Sequence, residues 1–268
     1  MLNYLKLEYQ KFGKNTVVTM LLFMYMAFLP ALIFLGKTVP TIPGLMASNN
    51  LFFEFPTVWQ WMGYSGNWLV FFCLGYVAVH IITSEVSNKT FRQSIINGQS
   101  RTEFFVGKCV ALLALCVGAT MYYAIVTSLI GLIATEAPDL QMILDGGPYI
   151  LRFFIMCLGY LSFAMLIGLV IRSSGIAILL YWSYVLFIEP FIRWVVHREI
   201  ALDESILYYP MNIVEDLLPM PFFEFASAIP SEVNFDFLID PNLAIGLTLA
   251  LTAIFVSLAY WNMLAKDM

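Results

Sequence analysis

Apolar residues gather in six runs separated by short polar stretches, and the runs predict helices at 17–36, 58–83, 109–134, 149–171, 175–194 and 241–264. Each meets the length of about 20 mostly apolar residues that a helix needs to cross a hydrocarbon core of roughly 30 Å. Pro30 predicts a kink in the first. Ahead of it, within residues 1–16, Leu2, Leu5, Tyr9 and Phe12 share one helical face. Lys6, Gln10 and Lys14 occupy the other, the pattern of a helix lying in lipid headgroups. Between the second and third runs, the polar stretch 84–108 spaces Phe91, Ile95 and Ile96 as one face of a short helix. It then places a stop at Asn97-Gly98 and a capping-box spacing from Ser100 to Glu103. The pattern predicts an elbow: one span ends, a short helix runs along the surface, the chain turns and the next span starts. A solvated loop that only reverses the chain fits the pattern equally well. The segment 195–240 is punctuated by Pro210, Pro219, Pro221 and Pro230, with apolar pieces too short to span, so short half-helices on the outer leaflet are expected. A compact external cap is the alternative. The fold class that follows is an all-α polytopic membrane protein, one domain over residues 1–268.

Composition agrees. Apolar residues make up 61% of the 268 and charged residues 12%, and the mean hydropathy is +0.83, whereas soluble domains are about a quarter charged. The first apolar run is too long for a cleaved signal sequence and is expected to stay. Lys6, Lys11, Lys14, Lys89, Arg92, Arg101, Lys108, Arg172 and Lys266 fall on one side of the six predicted spans. Lys37, Arg193 and Arg198 fall on the other, so the first side is predicted to be cytoplasmic, with both termini and the elbow. Most acidic residues fall in the outer loops. The four cysteines (Cys73, Cys109, Cys116, Cys157) lie inside apolar runs without ligand spacing, which argues against a disulfide scaffold or a zinc site.

Candidate chemistry is sparse. Residues 31–38 loosely fit a phosphate-loop pattern, but they begin inside a span and place Lys37 outside. Asn88-Lys89-Thr90 fits a glycosylation acceptor but is predicted to be cytosolic. Two histidines, His80 and His197, belong to no metal-binding pattern, and no predicted span holds an aspartate. No catalytic or metal-ligating residue is therefore assigned, and the substrate-binding residues are unknown. Glu189 and Arg193 are four apart and are expected to pair near the outer boundary, as a functional site or a self-neutralised anchor. Arg152 is expected to snorkel outward. Tyr25, Asn67, Tyr76, Tyr122, Tyr123, Thr127, Tyr181 and Tyr184 either line a route for cargo or tie helices together.

Six spans, an interfacial N-terminal helix, a cytosolic elbow and an apolar outer segment together resemble the type 2 ABC transporter permeases, the membrane subunits of ABC exporters. Glu85, Thr90, Gly98, Ser100-Arg101 and Phe104 to Gly107-Lys108 carry the likeness over about 25 positions. Tyr209-Pro210-Met211-Asn212 is similar to permeases of the bacitracin-resistance and sodium-efflux type. The resemblance implies that the elbow is a coupling helix seated in a separate ABC ATPase subunit, which brings the ATP and magnesium, so no cofactor is expected here. It also implies a second permease copy in a homodimer, a bacterial plasma-membrane location and no enzyme activity in this chain. Lipid is a further partner, and no nucleic-acid partner is expected. In that setting Phe91, Ile95 and Ile96 would anchor the ATPase. Lys89, Arg92 and Arg101 would meet its acidic groups or lipid phosphates, beside Thr90. Glu85 would fix the elbow by capping or by pairing with Lys89. A self-sufficient channel or carrier, or a non-transporting anchor or sensor, are the competing readings.

Overall fold

The computed structural model describes residues 2–38, 52–87, 90–96, 98–171, 173–200, 204–221 and 238–265. Its elements are helical, with no strand among the described residues. Helix α1 (Leu2–Phe12) and helix α2 (Thr16–Thr38) meet at a bend of 99°. Asn15 builds the corner: its Oδ1 accepts from the backbone N–H groups of Val17 and Val18 at 3.0 and 3.3 Å, which caps α2. The chain then forms α3 (Thr57–Val86), α4 (Thr90–Ile96), α5 (Arg101–Ala134), α6 (Leu140–Leu144), α7 (Gly147–Val170) and α8 (Ser174–Ile200). A 3₁₀ turn (Glu204–Leu207), α9 (Pro210–Glu215) and α10 (Pro241–Ala265) complete it.

Five segments are long and apolar enough to cross a membrane: α3, α5, α6 with α7, α8 and α10. A sixth is reached when α1 and α2 are counted together across their bend. The chain is thus an all-helical, multi-pass membrane protein. Two boundaries differ from the sequence pattern. Helix α5 starts at Arg101 rather than at residue 109, because the capping box fixes its first turn before the apolar run begins. Helix α8 runs on to Ile200 through Pro190. Proline has no N–H to donate, and π-helical turns at Tyr184–Ile188 and Ile192–His197 flank it and absorb the break.

Helix α7 is the centre. Its apolar window is 72% buried, against 28% for α8 and 22% for α10, which leave broad apolar faces outward. Apolar packing alone gives little direction in lipid, so polar ties set which helices meet. The Tyr123 ring stacks on Phe153 of α7 at 4.2 Å, and its hydroxyl donates to the Trp59 carbonyl of α3 at 2.7 Å. Tyr25 donates to the Ala119 carbonyl at 3.1 Å, Tyr122 to the Met26 carbonyl at 2.6 Å, and Tyr181 to the Phe71 carbonyl at 3.4 Å. These four tyrosines are ties between helices. Gly75 makes the last one possible, since a Cβ there would overlap the Tyr181 hydroxyl.

Helix α1 turns a mixed side toward the bundle. Phe12 and Glu8 are buried against the bundle, whereas Tyr9 is 76% exposed and left free to face lipid. A charged partner on α5, described next, decides which side of α1 turns inward.

Candidate functional site

The elbow is built from local signals. Helix α4 ends at Gly98, whose φ of +94° is a conformation other residues rarely adopt. The Gly98 N–H donates to the Ile95 carbonyl at 3.0 Å and the Gln99 N–H to the Ser94 carbonyl at 3.1 Å, the paired bonds of a Schellman stop. Two residues on, the Ser100 hydroxyl accepts from the Glu103 N–H at 3.1 Å, and the Glu103 carboxylate accepts from the Ser100 N–H at 2.8 Å. Stop and capping box stand where the sequence puts them.

The candidate residues are divided by this geometry. Ile95 is half-buried against the bundle core while Ile96 is 82% exposed, so the two do not share an outward face. Adjacent residues on a helix point about 100° apart, and α4 packs along the end of α3. Arg101 turns back on its own chain, donating from Nη1 to the Leu264 carbonyl at the end of α10 at 3.1 Å. Thr102 and Tyr260 share a hydrogen bond at 3.1 Å beside it. Lys89 lies outside the described residues, and for Thr90, Phe91 and Arg92 only the backbone, within α4, is described.

Among the described residues, Glu85 belongs to a cluster of four charges beneath the elbow, of which Glu8, Glu85 and Lys108 are buried. Lys108 Nζ, on a residue 2% exposed, lies 2.6 Å from Glu8 Oε2 and 2.8 Å from Glu85 Oε1. Lys11 lies 3.0 Å from Glu85 Oε1 and 3.6 Å from Glu8 Oε1. Lys108 and Lys11 are thus partners of Glu85, and its expected pairing with Lys89 falls outside the described residues. Among the described residues two cations face two carboxylates, and the ammonium of Lys108 also sits over the rings of Phe12 and Phe104 at 4.8 and 5.2 Å. Spacing explains the α1 side: Glu8, Lys11 and Phe12 are at i, i+3 and i+4, one face of one helix. Sequence reading passed over Glu8, Lys11 and Lys108 as a group. Their signal was a lysine starting an apolar run with carboxylates near the ends of two other segments. The cluster binds three segments together: α1, the end of α3 and the start of α5.

At the far end of α3 the loops form a second polar region. Glu189 is 3% exposed, and its carboxylate accepts from the backbone N–H groups of Met211 (2.9 and 3.1 Å) and Asn212 (2.9 Å) at the start of α9. The expected Glu189–Arg193 pair is thus replaced, as the main contact of Glu189, by backbone donors. The Arg193 guanidinium lies over the Trp194 ring at 4.9 Å. The expected short helices of 195–240 are present as the 3₁₀ turn and α9; residues 222–237 lie outside the described residues. Asn212 Nδ2 donates to the Leu207 carbonyl at 2.7 Å and to Asp216 Oδ2 at 3.1 Å. Burial pushes the Glu215 carboxyl up to about 7, with Glu189 nearby adding to it. Burial also pushes Asp216 up to about 6, against the N–H of Ile239, which favours its charged form.

Among the described residues no group of three or more His, Cys, Asp or Glu side chains is placed to hold a metal ion. The chain matches no protein-family model, and comparison with curated proteins finds no similar one.

Proposed function

We propose that this chain is the membrane-spanning permease subunit of an ATP-driven ABC exporter in a bacterial plasma membrane. It would work as a homodimer of six-span copies with both termini cytoplasmic. A separate ATPase subunit seats α4 in a groove, and its hydrolysis cycle moves the inner ends of α3 and α5 to pass a hydrophobic or amphiphilic cargo. One observation carries this reading: a short helix with an exposed apolar residue, Ile96, projects between two membrane-length helices whose adjoining ends are cross-braced to α1 and α10. A loop that only reverses the chain needs neither a helix with a defined stop nor braces to elements far away in sequence. A displacement of such an elbow reaches several spans together.

The test is to isolate the tagged protein from its own membranes and identify what accompanies it. A soluble subunit with ATPase activity is expected, and Ile96→Asp should reduce its recovery at least tenfold while leaving the permease folded. Phe91→Ala should also lower transport-stimulated hydrolysis. If the chain isolates alone and sustains ion-driven flux by itself in vesicles, it is a carrier and the proposal fails.

A further inference from the structure

A groove of about 510 Å³ lies in the crook where α1 bends into α2. Phe12, Val18 and Ile81 form its floor, a buried apolar cluster separate from the main core. On one side Ala111 and Ala114 of α5 leave room that larger side chains would fill, and on the open edge Tyr9 and Phe23 are 76% and 70% exposed. Along α2 the lining runs from Val18 to Met26, about 12 Å at 1.5 Å per residue. One leaflet of a hydrocarbon core of roughly 30 Å is about 15 Å deep, so the groove is nearly as long as a leaflet is thick.

The end of the groove at the α1–α2 corner is basic. Lys14 follows Gly13, which lines the groove, and Lys6 shares the side of α1 that carries Tyr9 and Gly13, at i, i+3 and i+7. Both lysines are exposed, and neither has an ion-pair partner among the described residues. Glu8 also lines the groove, but Lys108 meets its carboxylate at 2.6 Å. Surplus positive charge therefore stands at one end of an apolar channel of leaflet length. We propose that the groove seats an acyl chain of an anionic phospholipid from the leaflet on the elbow side, with the lipid phosphate against Lys14 and Lys6. A methylene chain has no polar group to satisfy, which suits walls whose buried carboxylate is already paired. The site needs the chain to be a membrane protein and nothing more, whether or not it works with an ATPase.

The full chain, stripped of lipid in detergent, is titrated with phosphatidylglycerol and with phosphatidylcholine, and the complexes are counted by native mass spectrometry. One phosphatidylglycerol should bind saturably and at least tenfold tighter than phosphatidylcholine. Ala114→Trp, which fills the groove from an exposed position, should weaken that binding at least tenfold with an unchanged size-exclusion profile. Lys14→Glu should weaken phosphatidylglycerol by about fivefold or more and leave phosphatidylcholine as it was, since a lysine near a membrane surface contributes about a factor of five. A phosphatidylglycerol with a photoreactive diazirine at the end of one chain should label Leu22 to Met26 of the unaltered protein ahead of the outward faces of α8 and α10. Even labelling of all these helices would mean annular lipid only, and protein–protein crosslinks at Phe23 in the place of lipid would assign the groove to a second copy. Either result, no preference for phosphatidylglycerol, or unchanged binding in folded Ala114→Trp would overturn the proposal.

Discussion

Replacing Lys108 with methionine removes the cation at the centre of the buried cluster while keeping an unbranched side chain of similar length. Glu8 then loses its contact at 2.6 Å and, among the described residues, keeps Lys11 at 3.6 Å, whereas Glu85 keeps Lys11 at 3.0 Å. Removing one partner of a buried ion pair costs about 3–5 kcal/mol, because the remaining charge stays out of water uncompensated. Since Lys11 covers part of the deficit, the lower end applies, about 3 kcal/mol. The side chain of Lys11 is 34% exposed, so Lys11→Met should cost about 1 kcal/mol or less. Every 1.4 kcal/mol is about a factor of ten in an equilibrium, so Lys108→Met should raise the opening of α1 from the bundle about a hundredfold. Hydrogen exchange of the α1 amides in nanodiscs measures this. Adding Glu8→Gln to Lys108→Met should recover a good part of the loss, as coupled residues do in a double-mutant cycle. An effect of less than tenfold for Lys108→Met, or equal effects for the two lysines, would refute the claim that this cluster holds α1 in place.

Gly98→Ala should loosen the end of α4 by about 1 kcal/mol through backbone strain at φ +94°, since a Cβ there meets nothing within 4 Å. Faster exchange at Gly98 and Gln99, with α5 unchanged, would be the sign. The docking of α9 should weaken as pH rises. Glu215 and Asp216 are raised to about 7 and about 6 in the folded chain, from ordinary values of 4.5 and 3.8. Between those limits the folded state holds protons that the unfolded state has released. Their contribution is therefore full below pH of about 4 and lost as pH climbs through 6 and 7. Exchange across residues 210–221, corrected for its intrinsic pH dependence, should show less protection at pH 8 than at pH 5; the opposite order would mean these carboxyls are not desolvated.

Signals that act within a few residues could be read from the sequence. Gly98, the Ser100–Glu103 box and the apolar runs each specify structure through their own backbone or by length, and the folded chain keeps them. Tertiary partners could not be read. The apolar spacing of α1 gives no hint that Glu8 is drawn inward, because its partner, Lys108, lies a hundred positions away. Spacing alone paired Glu189 with Arg193, yet the N–H groups opening α9 offer the carboxylate closer partners. Ile95 and Ile96 looked equivalent as apolar neighbours; the packing of α4 against α3 separates them.

Helix α5 has 34 residues, and at 1.5 Å per residue that is a rod of about 51 Å, roughly 20 Å longer than a hydrocarbon core is thick. One tip bears the four-charge knot and the contact with Leu264; past the other, Thr135 accepts from the Phe55 N–H at 3.0 Å. Pivoted at its middle, a rod of this length swings each tip roughly 4 Å for a tilt of about 10°. A modest push on one side of the bilayer therefore arrives on the other as a displacement larger than a hydrogen bond is long.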